Sequence, residues 1–335
     1  HKRPEMYIGP TKAQKQDESW TIKNLRFYKK QTHFSPGLER LFIEAMSNAI
    51  DNYQRSKNSK TPCTKIKITI NNETGEIVIW NDGMSIPIEK KDDLYIHSLV
   101  FGKLLSGENY DDSQERYSSG RNGVGIKLVN VFSKEFKVKA CDGEKNFSQT
   151  WKNHMRNVGK PRVSKLKKSK SGFTQVSWIP DFSLFNCDGY SNDLLSILYK
   201  HAYDCAMLTG ISVYLDGKKI PIKSLKDYAK LYLPNKTNEI LSFQSPTCSV
   251  VVSANQNGKF EHIAFTNGIY NVDGGVHVDA WKEAIFRPLV QKINKPNKPH
   301  ITIADLLLHF RLFINSQVPN PEFSSQSKTK LTSPN

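Results

Sequence analysis

No apolar run in the chain approaches the ~18 residues that a bilayer-crossing helix needs, which excludes a helical membrane span. Cysteine is scarce. The five residues, Cys63, Cys141, Cys187, Cys205 and Cys248, are odd in number, scattered and free of Cys-x-x-Cys spacing. This excludes a disulfide framework and a structural zinc site, and reduced thiols point to an intracellular compartment. Nothing at His1 resembles a signal peptide and no internal repeat is found, so the expectation is a soluble piece cut from a longer protein. Acidic residues are also in short supply, with 32 Asp and Glu against 48 Lys and Arg, a net charge of +16 and a pI near 9.5. That surplus exceeds what solubility requires and implies a polyanionic partner, nucleic acid ahead of an acidic membrane surface.

What is present fits an ordinary globular composition, 38% hydrophobic and 24% charged, and 335 residues are enough for two substantial cores. Between Tyr232 and Asn238 the chain gathers Pro, Asn, Lys and Thr, which sets the expected domains at 1–235 and 236–335.

One helix, expected over Leu38 to Arg55 and opened by Pro36 and Gly37, organises the first domain. At about 100° per residue, Asn48 lies only about 40° from Glu44 and Asp51 about 20° the other way, so the three form one polar stripe. Phe42, Met46, Ala49 and Tyr53 fall in an apolar arc on the other side, as a helix packed on a sheet requires. Taken alone, this is also the pattern of a surface helix with a solvated face.

Strands follow at Lys65 to Ile70, which alternates Lys with Ile or Thr, and at Ile77 to Trp80, its hairpin partner. The N-terminal arm, with Arg3 to Gly9 and a polar stretch around Gln14 to Lys23, is expected to lack a core. Leu94 to Leu105 reads as a helix, Ser106 to Arg116 as a polar lid, Gly125 to Phe132 as a short helix and Phe136 to Ala140 as a strand. The Lys/Arg-rich run Lys152 to Lys170, broken by Gly159 and Pro161, reads as an exposed loop or hairpin. Strand 176–179, helix 192–207 and strand 212–215 complete the first domain. The second is expected to hold strands 248–254 and 262–266, helix 278–293, helix 303–309 and strand 311–315.

Hydrolysis of a nucleoside triphosphate needs a base for water, a divalent cation and donors around the developing charge. Glu44 suits the base, and Asn48, one turn on, is a neutral oxygen ligand suited to Mg2+. The run Gly120-Arg121-Asn122-Gly123-Val124-Gly125-Ile126-Lys127 offers unobstructed backbone N–H groups to phosphate, with a lysine as a point charge. It is not the nucleoside-triphosphatase P-loop, because Lys127 is not preceded by Gly and is followed by Leu128, and it follows no strand as a Rossmann turn would. Asp82, at the end of a strand, can accept a hydrogen bond from an exocyclic amine and so select adenine; a plain Asp-Gly turn residue is the competing reading.

Together, Arg3 to Gly9, Glu44 to Asn52, Trp80-Asn81-Asp82-Gly83, Asn109-Tyr110-Asp111-Asp112, Gly120 to Lys127 and Gln326-Ser327-Lys328 resemble, in order and spacing, the GHKL ATPases and within them the ATPase region of eukaryotic-type IIA DNA topoisomerases. The resemblance covers essentially the whole chain. It implies an α+β architecture: a GHKL (Bergerat) ATPase sandwich followed by a transducer domain like ribosomal protein S5, with an unusual left-handed crossover. It also implies ATP and Mg2+ as cofactors. By motif position Glu44 is the general base, Asn48 the Mg2+ ligand and Asp82 the adenine contact, with Asn52, Asn109 and Gly120 to Lys127 binding ATP. Gln326, Ser327 and Lys328 would reach the γ-phosphate from the transducer, and Tyr7 the nucleotide of the opposite subunit when two copies close as a homodimer. Double-stranded DNA is the implied partner, on a lysine loop at Lys292, Lys295 and Lys298.

Several positions depart from the pattern. Ser85 stands where a glycine is usual, Ser327 where Thr is usual, and Gly107 and Glu108 where serines are usual, which hints at a divergent or viral branch. A cellular enzyme of this kind would be nuclear, and a viral one would work in a replication compartment or virion. No nucleophilic tyrosine in a winged-helix context and no acidic metal-binding domain is found, so DNA cleavage is not expected of this chain. The rivals are a MutL-like repair ATPase, an Hsp90-like chaperone, or a DNA-binding scaffold without turnover.

Overall fold

The computed structural model describes residues 4–103, 124–167, 171–233, 240–296, 299–325 and 328–333. They fall into two compact units, dividing between Lys223 and Ser224.

In the first unit the alternation of Lys65–Ile70 and Ile77–Asp82 does what period-two sequences do: Ile66, Ile68, Ile70, Ile77 and Ile79 are buried on one face, while Lys67 and Thr69 are exposed on the other. The two strands pair antiparallel with Ile68 opposite Ile79. Phe173–Pro180, Ser133–Cys141 and Lys145–Lys152 extend the sheet on one side. On the other, Ser212–Leu215 joins Lys65–Ile70 in parallel and turns into Lys218–Lys219. The basic stretch after Lys152 is a hairpin-like edge rather than a loose loop, since Asn157–Val158 and Arg162–Lys165 both pair with Lys145–Lys152.

The helices of this unit are α1 (Glu5–Ile8), α2 (Pro36–Ser56), α3 (Ile96–Gly102), α4 (Gly125–Val131) and α5 (Asn192–Thr209). The organising helix α2 starts two residues before its expected Leu38, because the Ser35 hydroxyl accepts from the Leu38 N–H and Pro36 occupies the first turn, where a missing N–H costs nothing. Leu38, Leu41, Phe42, Ala45, Met46, Ala49 and Ile50 form its buried face. Between Leu94 and Leu105 the chain is helical only over α3; Leu94–Tyr95 pairs with Lys90–Lys91, and 104 and 105 lie outside the described residues, as does 106–116.

The N-terminal arm corrects an expectation. Gln14–Lys23 and Arg26–Phe34 form a hairpin, with Asn24 and Leu25 at positive φ in its turn. It shares a core with α5: Phe27 meets Tyr203 edge-on at 6.1 Å, the Ile22 backbone exchanges hydrogen bonds with the Ser196 hydroxyl, and Lys30 pairs with Asp193 at 2.5 Å. Its polar composition concealed this because the apolar partner lies 174 residues away in sequence.

The second unit opens with α6 (Leu225–Lys230), whose Tyr228 packs on Phe265 and hydrogen bonds Tyr232 at 2.7 Å. That packing draws the division ahead of the 232–238 stretch. Its sheet runs Ile240–Gln244, Cys248–Ala254, Phe310–Ser316, Glu261–Thr266, Ile269–Tyr270. Phe310–Ser316 is parallel to Glu261–Thr266, so the chain must cross over between them, which it does through α7 (Val276–Ile293) and α8 (Ile303–Leu307). Val278 and Phe286 of α7 sit among Val250, Ala264, Leu312 and Ile314 in the core. No helix among the described residues is long and apolar enough to cross a membrane.

A buried polar network clamps α2 to α5. Asp204 pairs with Lys200 at 2.9 Å, His201 Nδ1 lies 3.2 Å from Asp204, and His201 Nε2 lies 2.8 Å from Glu39 on α2. With the imidazole protonated, these four groups carry balanced charge. Burial lowers the His201 pKa, but hydrogen bonds to Asp204 and Glu39 outweigh it and hold the ring above the ordinary imidazole value. A raised folded-state pKa gives stability that is complete below the unfolded value of about 6.5 and disappears as pH rises through the folded value. The thermal midpoint should therefore fall as pH rises above neutrality, and the fall should flatten in His201→Gln; an identical pH profile in that variant would remove His201 as its source.

Candidate nucleotide site

The polar stripe of α2 faces the start of α4. Glu44 is half-buried and ion-paired with Arg40 one turn earlier. Its carboxylate lies against Gly125, so closely that a β-carbon there would overlap Oε2. The end of the glycine run and the candidate base thus meet, although about eighty residues separate them. Val124 is half-buried and Ile126 buried. Lys127 is fully buried, and desolvation pulls its ammonium below the usual lysine pKa.

Asn48 and Asn52 continue the stripe. The Asn48 amide donates to the Glu44 carbonyl at 2.9 Å, which orients the side chain and turns its oxygen away from that bond. The Asn52 amide donates to the Met84 carbonyl at 2.7 Å, tying α2 to the turn after Asp82, while its Oδ1 is buried with no hydrogen-bond partner among the described residues. Two amide oxygens one helical turn apart, one of them a buried acceptor without a partner among the described residues, are a donor set that fits a hydrated hard cation or a polar ligand group. No cluster of three or more His, Cys, Asp or Glu that could hold a metal occurs among the described residues, so any cation here would keep most of its waters.

Asp82 has a structural task of its own. Its Oδ1 accepts from the N–H groups of Thr64 and Lys65, both at 2.7 Å, and its Oδ2 from the Thr64 hydroxyl at 2.6 Å. A carboxylate offers about four lone-pair directions, and these three bonds fix how they point. Gly83 follows at φ 99°, where a β-carbon would come within 2.6 Å of the Cys63 nitrogen. Burial and neighbouring Asp82 push the Cys63 thiol up to about 12, which makes it inert. Ser85 needs no glycine-like backbone, since its φ is not positive, and its hydroxyl donates toward the Ile86 and Phe173 carbonyls.

Tyr7 is exposed on α1, next to exposed Met6, with Ile8 buried beneath. In the second unit, Lys328 sits at φ 58° and its carbonyl accepts from the Asn271 amide. Lys292 closes α7 and Lys295 follows, both exposed, in a loop whose base is held by Asn294 through paired hydrogen bonds with the Ile301 backbone at 2.8 and 2.9 Å. Asn109, Gly120, Arg121, Asn122, Gly123, Gln326, Ser327 and Lys298 lie outside the described residues. Sequence reasoning missed Arg40, although its i,i+4 spacing to Glu44 was legible. It also missed Thr64, whose hold on Asp82 has no sequence signal.

The close approach at Gly125 yields a direct test. Gly125→Ala should destabilise the protein by about 1–3 kcal/mol, the usual range for overpacking. Gly189→Ala, where a β-carbon meets nothing within 4 Å, should be close to neutral in the same thermal melts. Equal midpoints for both variants would contradict the seating of Glu44 against this glycine.

Comparison with known proteins agrees with this geometry. A family model described as histidine kinase-, DNA gyrase B- and HSP90-like ATPase matches residues 34–160, and one described as DNA gyrase B matches 217–335. The chain is 39% identical to DNA topoisomerase 2 of Invertebrate iridescent virus 6, over 99% of this chain and 31% of that protein. It therefore spans about a third of that relative's length. The solved ATPase region of Saccharomyces cerevisiae topoisomerase II superposes with a TM-score of 0.89 at 32% identity, covering 99% of this chain and 87% of that one. The ATPase and transducer domains of Balamuthia mandrillaris DNA topoisomerase II give 0.90 at 30% identity, covering 99% and 86%. The fold is thus the expected α+β one, a GHKL ATPase fold with a transducer domain, and the chain belongs to the family of DNA topoisomerase II ATPase regions.

Proposed function

We propose that this chain binds and hydrolyses ATP with Mg2+ as the N-terminal gate of a type IIA DNA topoisomerase. The observation that carries the reading is the Glu44 carboxylate seated against Gly125, which unites a base with the end of a phosphate-binding turn. Glu44 takes the proton of the attacking water, and its ion pair with Arg40 orients the carboxylate. The Asn48 oxygen is the protein ligand for Mg2+, which when bound neutralises charge developing on the phosphates. Asp82 accepts from the adenine amine, and Asn52, whose oxygen has no hydrogen-bond partner among the described residues, adds an acceptor to the ATP site. Gly120 to Lys127 surround the phosphates, with Lys127 supplying a cation that is strong because it is desolvated.

Gln326, Ser327 and Lys328 act on the γ-phosphate from the transducer, and Tyr7 acts on the nucleotide of a second copy. ATP would thereby close a homodimer around a DNA duplex, which would pass through a break made by a separate cleavage core. Lys292, Lys295 and Lys298 bind duplex phosphates. The MutL-like and Hsp90-like alternatives are less well supported, because topoisomerase II proteins match over 99% of this chain.

Glu44→Ala should retain ATP binding while turnover falls roughly 10² to 10⁴, the usual worth of a general base. Turnover within a few-fold of the parent would place the base elsewhere. Removing one lysine–phosphate pair should flatten the slope of log affinity against log salt by roughly 0.9, so alanine at Lys292, Lys295 and Lys298 should cost up to about three slope units and leave DNA-independent turnover intact. The same flattening from neutralising Lys165, Lys167 and Lys168 instead would move the DNA path to the first unit.

A further inference from the structure

Lys328 is held by its backbone. It lies at φ 58°, in the left-handed region that a residue with a β-carbon seldom occupies. Its N–H donates to the Ser325 carbonyl at 3.0 Å and its carbonyl accepts from Asn271 Nδ2 at 3.0 Å. The next carbonyl, of Thr329, accepts from the Asp273 N–H at 3.0 Å, and the Leu331 N–H donates to the Gly274 carbonyl at 3.0 Å. Gly275 bridges Leu331 in parallel, at a φ of 130° and so close that a β-carbon would overlap the Leu331 backbone. Residues 328–331 are thus zipped along the turn 271–275, and α7 begins at the very next residue, Val276.

Asn271 is fully buried and donates its own N–H to Ala264, yet its Oδ1 has no hydrogen-bond partner among the described residues. A fully buried side chain that spends its amide on the Lys328 carbonyl ties the conformation of that segment to the core of the second unit. A lysine in the left-handed region is a strained position that persists only where its surroundings hold it, so its conformation depends on the contacts made by its backbone. At the other end α7 carries Lys292, about 25 Å along the helix at 1.5 Å per residue.

We propose that Asn271 is a positioning residue for Lys328, and that the turn 271–275 is the joint through which α7 and the phosphate-binding lysines at its far end set that lysine. The inference rests on the reading of Lys328 as a γ-phosphate ligand and of Lys292 and Lys295 as DNA-binding residues. Asn271→Asp keeps the shape and removes the donor. In the 335-residue chain it should lower kcat for ATP at least tenfold with KM within threefold, and bring the ratio of turnover with and without duplex DNA to about one. The salt slope of DNA affinity should be unchanged. In a Lys328→Ala background the same substitution should have no further effect, whereas a merely structural role would lower turnover in both backgrounds. Parental kcat and DNA ratio in folded Asn271→Asp, with Lys328→Ala impaired, overturn the joint alone; full turnover in Lys328→Ala overturns the underlying reading as well. Should Asn271→Asp fail to fold in thermal melts, Thr329→Gly loosens the same segment without a buried change, and parental kcat and DNA ratio in that variant overturn the proposal.

Discussion

The close approach of the Glu44 carboxylate to Gly125 is the constraint on which the first unit depends. No other residue type fits at 125 without pushing the carboxylate away, and Arg40 holds that carboxylate from its other side. The helix beneath must also be immobile. Seven buried apolar residues seat α2 on the sheet, and the Lys200–Asp204–His201–Glu39 network fastens its first turn to α5. A buried network of this kind is weak evidence for stability by itself, but it fixes one arrangement of two helices, because any slip leaves a buried charge unpaired.

The residues around Glu44 have structural duties of their own. Asp82 pins Thr64 and Lys65 with three short hydrogen bonds. Asn52 anchors the Met84 turn, and its oxygen has no hydrogen-bond partner among the described residues. Each side chain is held in place by its own hydrogen bonds, and such preorganisation lowers the cost of binding a ligand. The Ser85 departure carries no backbone strain, because the chain is not left-handed there, whereas Gly83 is.

In the second unit the same economy applies to backbone. The turn at Gly274 and Gly275 receives the 328–331 segment and launches α7 in a single stretch of chain, so that a lysine held at positive φ and a basic loop lie at two ends of one element. Val278 and Phe286 bury the intervening helix in the sheet's core. Asn294 closes the loop beyond it on the Ile301 backbone, so Lys292 and Lys295 project from a fixed base.

Much of this was legible where local periodicity carries the information. The alternation in Lys65–Ile70, the stripe of Glu44 and Asn48, the turn glycine after Asp82 and the basic loop after α7 are short-range patterns dictated by strand and helix geometry. The order and spacing of the motifs carried the family resemblance. What the sequence could not display were relations between distant segments: the polar hairpin of Gln14–Phe34 finding its core on α5, Thr64 clasping Asp82, and Asn271 holding Lys328. By itself the sequence determined which residues could do chemistry and on which element each would lie. Only the tertiary structure decided which of them meet, because a hydrogen bond or a close approach depends on packing that brings separate elements within a few ångströms, and no spacing along the chain encodes that distance.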